Sequence, residues 1–394
     1  MAESPTRSPT EPDTTPCPSP RPQIPVEIIS DEEMALIEAA LAAACPSVSC
    51  STQLQRSVRS IHSITVLSKR KLSGCKDSVM STVGDIEDGQ NRVTSPRKKN
   101  RLKESLLHRF RRKRGLAVTD ISATEWCEKQ MEYFLVLGRP EASKAMKAGS
   151  MRHAALEEEV IKRVKVQTQC MEDVWAIKFM NFMVGVNQLL FDGLTRELPL
   201  VGFAEGVWMV GVIDEIRMPT EENERFPIIV DTKTRFRPTL PSEAQRRNGR
   251  LQLMCYKQIW DNLVADKFPI GQFFDFFSLN PNCILSDEIR ASTSGSGFPA
   301  ETLSEVMGYF RNTCSMLPQA HNRLLLRYEL QEDESLLGED EFEHDSDWVN
   351  GQIKSCLEFW RGDREASFTP MEERWKCRSC KFASVCPSTS PTSL

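Results

Sequence analysis

Gly206-Val207-Trp208-Met209-Val210-Gly211-Val212-Ile213-Asp214-Glu215-Ile216-Arg217 is apolar at nearly every position up to Asp214, where it turns acidic. A strand that is apolar on both faces belongs in the middle of a sheet, so this one is expected at the centre with a carboxylate at its end. A short connection later, Ile228-Ile229-Val230-Asp231-Thr232-Lys233 repeats the layout. Side chains alternate along a strand, so Asp231 and Lys233 share a face about 7 Å apart. Two consecutive strands therefore bring two carboxylates and an ammonium together.

Phosphodiester hydrolysis needs this set. Hard oxygen ligands hold Mg²⁺, the metal polarises the phosphate and lowers the pKa of its water, and a lysine positions that water or offsets developing charge. Asp-x-Lys alone is equally the pattern of two ordinary strand-end charges, so the reading leans on its surroundings. In Gly149-Ser150-Met151-Arg152-His153-Ala154-Ala155-Leu156-Glu157, His153 and Glu157 fall on one helical face. Gln252 and Tyr256 share a face in the same way, where an amide and a phenol can orient a site or touch substrate. Arg235 and Arg237 follow Lys233 at alternate positions as a phosphate clamp, and Arg246, Arg247 and Arg250 extend a candidate channel.

Helical periodicity is expected over 122–137, 141–164, 172–190, 242–266, 300–317 and 346–361. Strands are expected at 196–204, 206–217, 226–235, 272–279 and 322–330. This is an α/β pattern with a small mixed sheet. No glycine-rich phosphate loop accompanies it, which argues against a doubly wound nucleotide fold.

The chain has 394 residues and a net charge of -5, yet its 30 aromatic residues (7 Trp, 4 Tyr, 19 Phe) all lie at or after Phe110. Residues 1–96, rich in proline at the start, lack the apolar mass to offset the entropy of ordering them and are expected to be a disordered tail. One helix is expected there, from about Asp31 to Ala44, capped by Ser30 with Glu33 closing a capping box. Just before it, Val26-Glu27-Ile28-Ile29-Ser30-Asp31-Glu32-Glu33 looks like a SUMO-interacting motif, which would add a strand to a partner's sheet edge. Residues 97–114 hold ten basic residues against one acid, Glu104, a nuclear-localisation or phosphate-binding segment. From Tyr328 to Asp347 there are ten acids and no Lys or Arg, expected as a surface loop facing away from nucleic acid. Residues 115–394 then form one folded unit of about 280 residues. No apolar run of about 18 residues occurs, and the longest apolar stretch, Met34–Cys45, is short and interrupted by Glu38, so no membrane span is expected. Nor does the start resemble a signal or transit peptide, which points to a reducing intracellular location.

In such a compartment, clustered thiols are metal ligands rather than a disulfide framework. Cys377, Cys380 and Cys386 give Cys-x2-Cys-x5-Cys. Zinc and an iron-sulfur cubane both need a fourth ligand from elsewhere in the chain, and the spacing alone leaves the two open. Cys127, Cys170, Cys255, Cys283, Cys314 and Cys356 are equal candidates on physical grounds.

The ordered series Gly-x3-His-x3-Glu, Gly-Val-Ile-Asp, Asp-x-Lys-Thr-Arg and Gln-x3-Tyr resembles the RecB-type branch of the PD-(D/E)XK nucleases. That likeness implies metal binding by His153, Asp214 and Asp231, catalysis by Lys233, and site organisation by Gln252 and Tyr256. The motif usually carries Glu where Asp231 stands, one methylene shorter. Ser122-Ala123-Thr124-Glu125-Trp126-Cys127, Val174-Trp175-Ala176-Ile177-Lys178-Phe179 and Trp375-Lys376-Cys377-Arg378-Ser379-Cys380 add a resemblance to the eukaryotic exonuclease V family from about residue 115 to 387. The resemblance implies a RecB-like core, a [4Fe-4S] cluster on Cys127, Cys377, Cys380 and Cys386 stapling the two ends of the domain, and a monomeric, Mg²⁺-dependent exonuclease specific for single-stranded DNA. It also implies genome maintenance, in the nucleus or alternatively the mitochondrion. Two rival readings are a DNA-binding module whose nuclease site has decayed and a zinc-dependent interaction scaffold.

Overall fold

The computed structural model describes residues 104–160, 162–219 and 225–387, together with the strand Val26–Ile29 (β1). The expected helix at 31–44, residues 30–33 of the SUMO-like segment and the first half of the basic segment lie outside these. β1 pairs in parallel with Lys162–Lys165 (β3).

The main sheet has six strands and is mixed, as the alternation of strands and helices implies. Val207–Arg217 (β5) is its centre. Along one edge it pairs antiparallel with Leu194–Ala204 (β4). Its other edge is divided: Leu116–Ala117 (β2) pairs with Met209 and Val210, and Ile228–Arg235 (β6) pairs with Glu215 to Arg217. Between them lies a fork opposite residues 211–214. β6 continues in parallel to Arg323–Leu330 (β7), which pairs antiparallel with Leu336–Glu343 (β8).

Three expectations fail, two of them in the strands. The segment expected as a strand at 272–279 is the helix Ile270–Phe277. Its aromatics favour strands by type, but Phe273 and Phe277 sit four residues apart on one helical face and pack into Trp175, Phe179 and Trp208. The acidic block is not a loop, because β8 runs through it. Its charged residues alternate outward on an edge strand, where they block further pairing, and Asp340 and Glu339 neutralise Arg250 and Arg327.

Helices cover the sheet. Met171–Asp192 and Glu243–Val264 pack on β4, and Leu303–Met316 packs on both. By length and composition Met171–Asp192 could cross a membrane, but 72% of its apolar window is buried in this body, so it is a core helix. The basic segment is partly folded: in Leu106–Arg111 (α1), Arg111 makes two bonds of 2.7 and 2.9 Å to the buried carboxylate of Asp120. The single helix expected at 122–137 is two, Val118–Trp126 (α2) and Glu128–Leu137 (α3), broken at the extended backbone of Cys127.

Candidate active site

Pairing of β5 with β6 stops at Glu215 and Val230. The next residues outward, Asp214 and Asp231, therefore face each other at the mouth of the fork. On the other side of β5 the register sets Arg196 opposite Glu215 and Leu198 opposite Ile213, which puts Glu197 across from Asp214. Glu197 has φ of 49°, a left-handed conformation rare for glutamate within a strand. Such strain persists only where the surroundings impose it, and it recurs at functional sites.

A fourth group arrives from the helix Lys144–Glu158 (α4). His153 Nδ1 lies 3.6 Å from Asp214 Oδ2 and 3.7 Å from Glu197 Oε1. The ligand atoms of His153, Glu197 and Asp214 all fall within 4.8 Å of one another, close enough to share one ion. Two features hold α4 in place. Arg152 bonds Glu329 at 2.8 Å and Glu334 at 2.9 Å, and Gly149 approaches Thr234 so closely that an added Cβ would stand 3.2 Å from its hydroxyl. Glu157, which shares the face of His153, is buried.

Asp231 is 1% exposed, and neither of its carboxylate oxygens has a hydrogen bond of good geometry. Lys233 Nζ lies 2.7 Å from Asp231 Oδ2, and donates to Gln252 Oε1 at 3.1 Å. Gln252 in turn donates to the Tyr256 hydroxyl at 3.4 Å. Gly211 makes room for that phenol, since a Cβ there would sit 2.6 Å from the ring. The helix Glu243–Val264 thus fixes the lysine through a short relay.

Charge is finely divided in this pocket. Burial, followed by the neighbouring Asp231, pushes Asp214 well above the usual carboxylate range. Burial also works against an ionised Asp231, but the Lys233 charge outweighs it and holds the group low. Lys233 itself loses by burial and gains more from Asp231 and Asp214, so its ammonium is held charged. Burial, then Asp214, raises Tyr256, which stays a neutral phenol. Two opposed acids of which one is pressed to keep its proton, with a third carboxylate and an imidazole beside them, describe a site for a divalent cation.

Of the residues expected from sequence, His153, Asp214, Asp231, Lys233, Gln252 and Tyr256 converge here. Glu197 was not anticipated: it follows Arg196 in no recognisable spacing, and its role comes from a backbone kink. Arg235 donates to the Thr239 carbonyl and to Gln245, bracing the turn after β6, while Arg237 and its neighbour Phe236 are exposed. Two of the candidate channel arginines are committed within the fold. Arg247 joins Glu125 to Glu373, and Arg250 holds Asp340 with two bonds of 2.9 Å.

Cys127, Cys377, Cys380 and Cys386 line one cavity with Gln130, Tyr133, Phe368 and Thr369. The break between α2 and α3 is what turns Cys127 toward it. Gln130 spans the two ends, donating its amide N–H to Cys127 Sγ and its side-chain nitrogen to Cys380 Sγ, 250 residues away, each at 3.4 Å. Phe382 packs at 5.4 Å against both Tyr133 and Phe134. Behind them Arg364 grips the buried Glu128 with two bonds of 2.6 Å.

Residues 105–227, 220–305 and 300–387 match the family model described as "Exonuclease V - a 5' deoxyribonuclease". Exonuclease V of Danio rerio is 31% identical over 288 residues, 72% of this chain and 72% of that protein. The crystal structure of SSO0001 aligns over 70% of this chain and 86% of its own at a TM-score of 0.30 and 13% identity, too remote to carry an argument. The family matches make this chain an enzyme, a DNA exonuclease. The chain belongs to the exonuclease V family.

Proposed function

We propose that this exonuclease degrades single-stranded DNA with Mg²⁺ held at the fork, on a RecB-like nuclease core. The observation that carries the reading is the convergence of His153, Glu197 and Asp214 within 4.8 Å of one another beside the buried Asp231, which Lys233 meets at 2.7 Å. Asp214, Asp231, Glu197 and His153 would hold the metal. Mg²⁺ there supplies a polarised phosphate and a water of lowered pKa.

The chain's own residues do the rest. Lys233, kept charged by its two acids, is unsuited to remove a proton; it positions the attacking oxygen and offsets the charge that develops on phosphate. Gln252 and Tyr256 fix the ammonium so that it does not need to reorganise during the reaction. Exposed Arg237 beside exposed Phe236 offers a charge for phosphate and a ring for an unstacked base, a pairing that suits a single strand.

We further propose a [4Fe-4S] cluster on Cys127, Cys377, Cys380 and Cys386. The four sulfurs line a common cavity, and the ends they join are far apart in sequence, so a cluster there would constrain a very long loop. Action from a 5′ end, a monomeric state, a nuclear or mitochondrial role in DNA repair, and SUMO contact through residues 26–33 complete the proposal.

The test is digestion of 5′- and 3′-labelled single-stranded and duplex DNA with Mg²⁺ and with EDTA. Loss of label from single strands only, Mg²⁺-dependent and first from the 5′ end, is expected. Equal attack on blunt duplex would overturn the substrate assignment.

A further inference from the structure

Outside the fork and the four-cysteine cavity, a second group of ligand atoms converges where Met171–Asp192 (α5) begins. Cys170, Glu172 and Cys283 place one sulfur, one carboxylate oxygen and one sulfur within 4.8 Å of one another. We propose that they form a separate zinc site that fastens the loop at 279–286 to the start of α5.

The two segments are already held in register by the chain. Glu172 Oε1 accepts from the Asn280 amide at 2.8 Å. Buried Asp173 accepts from the Ser286 amide at 3.0 Å with one oxygen and from the Gln169 amide at 2.8 Å with the other. With both of its oxygens engaged, Asp173 acts as the clamp, while the Glu172 carboxylate, which also meets the Cys170 thiol, is placed to share a ligand with it. A preformed arrangement of this kind lowers the ordering cost of binding.

The donor set selects the ion. Two thiolates discriminate against Mg²⁺ and Ca²⁺, and a carboxylate completes the three-ligand shell that zinc accepts with water in the fourth position. Both cysteines are free thiols and partly open to solvent, so water can reach that position. None of the three residues takes part in the nuclease site or the four-cysteine cavity, so the proposal stands apart from both.

Full-length protein would be equilibrated with Zn²⁺, dialysed against metal-free buffer, and assayed for zinc and iron per chain by mass spectrometry. Wild type is expected to retain one zinc more than Cys170→Ala/Cys283→Ala at equal iron. Glu172→Gln still accepts from Asn280 but lacks the charge, and should bind zinc at least about tenfold more weakly. Equal zinc in wild type and the double variant would overturn the site, as would a Cys170–Cys283 disulfide in anaerobically purified protein. If the double variant loses its iron, Glu172→Gln decides alone, and unchanged zinc affinity refutes the proposal.

Discussion

Asp214→Asn should destroy activity and yet stabilise the metal-free protein. In the fork, Asp214 and Asp231 face each other with one lysine between them, and burial followed by Asp231 raises Asp214 above its ordinary value of 3.8. A group whose folded pKa is raised contributes stability fully present below its unfolded pKa and lost as pH rises through the folded one. Asparagine has the same shape and does not titrate, so it escapes that loss. Two carboxylates about 4 Å apart at an effective dielectric near 20 repel by roughly 4 kcal/mol, and Lys233 cancels much of this. A net gain of about 1–2 kcal/mol at about pH 8 remains, a rise of roughly 2–8 °C in Tm for a body of this size. Thermal unfolding of EDTA-treated protein at about pH 5 and about pH 8 reads it, with the gain larger at the higher pH. Mg²⁺ should invert the order, because binding at 100 times Kd adds about 2.7 kcal/mol to wild type and little to the variant. A variant less stable than wild type at about pH 8 without metal, or a gain that does not depend on pH, would refute the charge balance assigned to the fork.

Gly211→Ala should cost about 1–3 kcal/mol, since its Cβ would meet the buried Tyr256 ring at 2.6 Å, and should lower kcat by displacing the relay to Lys233; unchanged kinetics would remove that relay from the account. Arg364→Ala strands the buried Glu128 and should cost up to about 3–5 kcal/mol, discounted toward the lower figure by the partial exposure of Arg364, together with iron content, followed by denaturant unfolding and metal analysis. Anaerobically purified wild type should be brown, and Cys380→Ser should lose iron, solubility and thermal stability together. A colourless, zinc-loaded and fully active wild type would exclude the cluster.

The strands that carry Asp214, Asp231 and Lys233 were legible because an apolar run ending in acid is hard to place anywhere but at the end of a central strand. Cys377, Cys380 and Cys386 were legible from their spacing, but the choice of Cys127 as a fourth needed the family resemblance, since six outlying cysteines were chemically equivalent. Glu197 was hidden because its role depends on a positive φ, which no motif encodes. The acidic block misled for a physical reason: edge strands take charge on purpose, so β8 reads as solvated loop. At 270–277, aromatic type and helical spacing disagreed, and packing against Trp175 and Trp208 decided for spacing. The break at Cys127 belongs to the same class, because one extended residue interrupts an otherwise continuous helical pattern.

The most direct test of the central claim is hydrolysis of end-labelled single-stranded DNA by wild type, Lys233→Ala and Asp231→Ala, with Mg²⁺ and with EDTA, alongside binding of the same DNA by each protein. Wild type should degrade the strand only with Mg²⁺, and both variants should bind it and leave it whole. Turnover by Lys233→Ala at the wild-type rate, or wild-type hydrolysis undiminished in EDTA, would contradict the account.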